Sequence, residues 1–63
     1  MKVRLLKEQI HPKGNIPKGA IYQLNRKSGF YEYKTEGIVV STINEAGVNQ
    51  LTDLFERVLE RVK

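Results

Sequence analysis

Apolar positions change their period about two-thirds of the way along the chain. From Val3 to Ile43 they fall in short β-branched and aromatic runs broken by Gly, Pro and Asn. From Val48 they recur at Val48, Leu51, Phe55, Val58 and Val62, the 3,4,3,4 spacing of one helix face. The two patterns together predict a small sheet followed by one C-terminal amphipathic helix.

Four strands are expected, at residues 2–10, 20–25, 29–35 and 38–42, with the helix over residues 44–62. In the first, alternation puts Val3 and Leu5 on one face and Arg4, Leu6 and Glu8 on the other, so Leu6 needs separate cover. His11 to Gly19 reads as a loop, because two prolines remove N–H donors and two glycines tolerate positive φ. Asn25-Arg26-Lys27-Ser28-Gly29 reads as a hairpin loop with Gly29 left-handed. Phe30-Tyr31-Glu32-Tyr33-Lys34 alternates strongly, with Tyr31 and Tyr33 on one face and Phe30 on the other. Glu36-Gly37 is a tight turn, and Ile38-Val39-Val40 starts the fourth strand apolar on both faces. Thr42-Ile43-Asn44-Glu45 matches a capping box, although Gly47 then lies inside the helix. A short first turn near Asn44, deformed at Gly47 and regular from Val48, reconciles the two. Leu54 and Leu59 widen the seam to the stripe of a helix packed on a sheet.

The expected fold class is therefore α+β: a small four-stranded antiparallel sheet, or an open SH3-like barrel, followed by one C-terminal helix. With 63 residues the chain is expected to form a single domain. So small a domain buries only about 60% of the surface its unfolded chain exposes. Without cysteine it has neither disulfides nor thiolate metal sites to reinforce it. Self-association as a homodimer is one remedy, and the helix flank formed by Leu51, Leu54, Phe55, Val58, Leu59 and Val62 is the candidate surface. No apolar run approaches a signal core or the ~20 residues that span a bilayer. A cytoplasmic protein without membrane contact is expected.

Charge sharpens the functional reading. The chain carries a formal +4, distributed unevenly. Residues 1–34 hold eight Lys and Arg against two Glu, and residues 35–63 hold three against five acids. The sheet part is basic and the helix part mildly acidic. Catalysis has little to draw on, since one histidine and two serines offer no nucleophile with a base and an orienting group. His11 lacks a second metal-ligating partner of its kind, and Lys13-Gly14 and Lys18-Gly19 are turn glycines rather than phosphate loops. No enzyme, metal or cofactor is expected.

Basic and aromatic residues interleave on the middle strands. Lys13, Lys18, Arg26, Lys27 and Lys34 are candidates to neutralise phosphates, and Tyr31 or Tyr33 to stack on bases. Core packing competes for the same tyrosines. The layout of a basic meander ending in a helix resembles small SH3-like barrel proteins that coat DNA, in architecture and charge only. The leading expectation is a non-catalytic protein that binds nucleic acid, DNA or RNA, with little sequence specificity. The competing one is a protein-interaction module, such as a small accessory, regulatory or inhibitor protein of a bacterial or phage genome, that self-associates or docks on an acidic protein.

Overall fold

The computed structural model describes residues 1–12 and 14–62. Its elements run β1 (Lys2–Leu5), β2 (Ile21–Asn25), β3 (Phe30–Thr35), β4 (Ile38–Ile43), α1 (Glu45–Leu51) and β5 (Leu59–Val62). The strands form one open antiparallel sheet in the order β4-β3-β2-β1-β5. The architecture is α+β, with five strands rather than four and with the helix between the last two.

The first four strands are a meander whose turns follow local chemistry. Gly29, at φ 78°, closes the β2–β3 hairpin. Its N–H donates to the Asn25 carbonyl at 2.8 Å. The β3–β4 connection is the two-residue turn Glu36-Gly37, and both residues have positive φ, the signature of a type I′ turn. Between Tyr33 and Lys34 the register slips, Tyr33 facing Ser41 and Lys34 facing Val39, so Val40 is the extra residue of a bulge.

β1 is shorter than expected. It stops at Leu5, where the chain turns away so that the Leu6 N–H donates to the Val58 carbonyl at 2.7 Å. Leu6 itself is half-buried. The segment that follows is not simply a surface loop. Gln9 and Ile16 form an isolated antiparallel bridge, and Ile16 is fully buried.

The long C-terminal helix is not formed. α1 begins as the Asn44 side chain accepts the Gly47 N–H at 2.7 Å, and it ends at Thr52. There the Thr52 hydroxyl donates to the carbonyls of Val48 at 2.8 Å and Asn49 at 3.1 Å. Asp53 then accepts the Phe55 N–H at 2.9 Å, an Asx turn that competes with helical bonding. The chain next returns as β5 beside β1, with Lys2 facing Val62 and Leu5 facing Leu59. That pairing satisfies an otherwise open edge of β1 and buries Leu59 completely.

The core comprises Val3, Leu5, Ile16, Ala20, Tyr22, Tyr31, Val48 and Leu59. Leu24, Tyr33, Ile43, Leu51 and Val58 pack around it. All the strand residues in this set lie on one face of the sheet, which α1 and the two long connections cover. No helix of the described residues is long and apolar enough to cross a membrane.

Candidate nucleic-acid interface

The same two-residue alternation that buries Val3, Leu5, Tyr22 and Tyr31 turns their neighbours to the opposite, outer face. Register defines rows across that face. Val62, Lys2, Gln23, Glu32 and Thr42 form one row. Glu60, Arg4 and Ile21 form the next, and Asn25 with Phe30 a third.

An open cleft of ≈ 650 Å³ lies on this face, lined by residues that include Lys2, Gln23, Asn25, Arg26, Glu32 and Lys34. Among the described residues no carboxylate lies within ion-pairing distance of Lys2 or Arg26. Lys34 reaches Glu32 only at 3.9 Å. Arg4, by contrast, is committed to Glu60 at 2.8 Å, and Arg57 lies 3.7 Å from the same carboxylate. Among the described residues the cleft therefore has three cations, two of them without a carboxylate in reach, against one carboxylate.

Asn25 organises one end. Its Oδ1 accepts the Lys27 N–H at 3.0 Å and its Nδ2 donates to Glu32 Oε1 at 3.2 Å. One side chain thus fixes the hairpin that carries Arg26 and Lys27 and holds the Glu32 carboxylate in the cleft lining.

The expected contact residues divide. Arg26 and Lys34 come together at the cleft. Lys27 is exposed on the adjoining hairpin. Lys18 lies in the turn before β2, next to the Leu5 end of β1 and away from Lys2. Lys13 lies outside the described residues.

Tyr31 is 0% exposed and cannot stack on a base. Tyr33 is half-buried, its ring 5.7 Å from that of Tyr22 on the core face. The aromatic presented on the outer face is Phe30, 42% exposed. Lys2 and Gln23 were not singled out from the sequence, although each has the parity opposite to a buried neighbour. That parity was the available signal.

The helix surface is corrected as well. Leu51 is half-buried on α1, while Leu54 and Phe55 stand 80% and 92% exposed on the connection to β5. Val58 packs on the core, and Leu59 and Val62 belong to β5. The six residues share no helix face.

On the core side, Arg61 Nη2 donates to Asn49 Oδ1 at 2.6 Å and to Glu45 Oε1 at 3.3 Å, and its Nη1 to the Tyr31 hydroxyl at 3.5 Å. The Tyr31 bond, followed by the Glu45 carboxylate, raises an already high arginine pKa against the effect of burial. This group is a structural clamp between β5 and α1. Among the described residues no set of three or more His, Cys, Asp or Glu side chains is grouped to hold a metal ion.

No family model matches the chain, and no curated protein or solved structure is significantly similar to it.

Proposed function

We propose that the protein is a non-catalytic, cytoplasmic binding protein whose outer sheet face holds single-stranded nucleic acid with little sequence specificity. The observation that carries this reading is the pairing state of the cleft cations: Lys2 and Arg26 line a concave polar surface without acidic partners among the described residues. A polyanion entering there gains Coulomb attraction without breaking an existing ion pair, and it releases condensed counterions as it binds. Phe30 supplies an apolar ring beside the cleft for a base to rest on. The likeness to small SH3-like barrel proteins that coat DNA belongs to this proposal. The basic meander is what supports it. Fluorescence anisotropy with a labelled oligonucleotide at two salt concentrations tests the reading. Binding that weakens steeply with salt is expected, and no binding at the lower salt refutes it.

A second reading has its own observation. β4 is an edge strand without a charged residue, and Ile38, Val39 and Val40 stand 68%, 42% and 50% exposed. The other edge, β5, carries Glu60 and Arg61. An uncharged apolar edge can face a second copy of itself without like-charge repulsion. On this reading the protein is an interaction module that self-associates through β4. Light scattering at two concentrations decides it, with a monomer at both as the refuting result.

A further inference from the structure

The lining of the cleft is chemically mixed. Beside its cations, Gln23 and Glu32 are direct cross-strand neighbours in the lining. Side chains opposite one another on one face have Cβ atoms about 5 Å apart, so the amide and the carboxylate can engage the same small planar group. The Glu32 side chain is only 13% exposed, and its Oε1 is held by Asn25 and Lys34. Among the described residues its Oε2 and the Gln23 amide make no side-chain hydrogen bond. The site therefore offers one fixed anionic acceptor beside one amide donor.

We infer that the Glu32–Gln23 pair selects nucleobases with an exocyclic amino group and disfavours thymine and uracil. This rests on the nucleic-acid reading of the same cleft. Cytosine presents an amino donor beside ring-nitrogen and carbonyl acceptors. Glu32 accepts from the first and the Gln23 amide donates to the others. Thymine and uracil flank their one ring N–H with two carbonyl oxygens, which the carboxylate repels. Phosphate contacts to the cations supply affinity for any sequence, and the Glu32–Gln23 pair adds a preference among base types. At ≈ 650 Å³ the cleft lies in the range that holds a small organic ligand, so a base extruded from a single strand fits.

The test compares oligo-deoxycytidylate with oligo-deoxythymidylate of equal length by fluorescence anisotropy, for the wild type, Glu32→Gln and Gln23→Ala. The wild type binds the cytosine oligomer about tenfold more tightly, the discrimination of one good base contact. Glu32→Gln removes that preference and tightens binding of the thymine oligomer, because a negative charge in the cleft is gone. Gln23→Ala, at an exposed position that alanine occupies without disturbing the core, narrows the preference. Equal wild-type affinity for the two oligomers overturns the inference while the nucleic-acid reading stands. A preference that survives Glu32→Gln also overturns it. Failure to bind either oligomer overturns both.

Discussion

Arg61 donates to Asn49 Oδ1 at 2.6 Å, a bond that ties the last strand to the helix that precedes it. α1 has seven residues, too few to be stable alone, so it depends on such ties and on the burial of Val48. Arg61→Ala is expected to destabilise the fold by about 1 kcal/mol, less than a buried charged hydrogen bond contributes because the site is half-exposed. Arg61→Lys keeps the charge but loses the fork that reaches Asn49, Glu45 and Tyr31 together, and should restore less than half of that loss. Urea unfolding monitored by circular dichroism measures both.

The two aromatics Tyr31 and Phe55 separate the observed fold from a seam helix. Phe55, at 92% exposed, has no packing to lose, so Phe55→Ala should change stability by no more than about 0.5 kcal/mol. On a sheet-covering helix the same change would cost about 3–5 kcal/mol. Tyr31→Ala empties a fully buried site and should cost about that much, comparable to the whole stability of a domain this size. Tyr31→Phe, which gives up only a 3.5 Å contact with Arg61, should remain folded. Thermal melts of the three variants give the order directly.

Most of the meander was legible in the chain because its information is local. Gly29 marks its turn, and the alternation over Phe30 to Lys34 sets the strand and its faces. The C-terminal third was read wrongly for a physical reason. Val48, Leu51, Val58 and Val62 fit a helical period, yet only Val48 and Leu51 use it. Thr52 and Asp53 divert the backbone hydrogen bonds, and Leu59 to Val62 gain more by pairing with a strand at the far end of the sequence. A contact between Lys2 and Val62 leaves no trace in local periodicity. The same gap hid the cleft. Lys2 joins Arg26 and Lys34 only through the β1–β2–β3 register, while Tyr31 was drawn into the site by its type and not by its parity.

Gly47 looks like a defect in a helix, and replacing such a glycine with alanine ordinarily stabilises. Here a Cβ would lie 2.9 Å from Ile43 Cγ2 and 3.1 Å from Asn44 Oδ1, the very atom that caps the helix. The Ile43 methyl is on a β-branched side chain packed against the core and cannot easily swing aside. Gly47→Ala is therefore expected to destabilise by about 1 kcal/mol or more. A gain in denaturation midpoint would contradict this account of the cap.

Glu36 holds φ at 54°, in the left-handed region, at the first central position of the β3–β4 turn. Glutamate is strained there, whereas asparagine tolerates that conformation and Asn-Gly is the preferred pair for this turn. Glu36→Asn should raise stability by about 0.5–1 kcal/mol without altering the cleft, which Glu36 does not line. The check is a higher melting temperature with unchanged oligonucleotide affinity.

Position, and not charge alone, should govern how the lysines and arginines contribute to binding. Lys2 and Arg26 line the cleft, and Lys18 lies at the other end of β1. Each phosphate contact on a single strand contributes about 0.7 to the slope of log affinity against log salt. Lys2→Ala and Arg26→Ala should each flatten that slope by about this amount and weaken binding at every salt concentration. Lys18→Ala removes the same formal charge but should leave the slope nearly unchanged. A diffuse field from the chain's +4 would instead make the three variants equivalent. Anisotropy titrations over a salt series distinguish the two patterns, and equal slopes for the three variants would dissolve the cleft as a site.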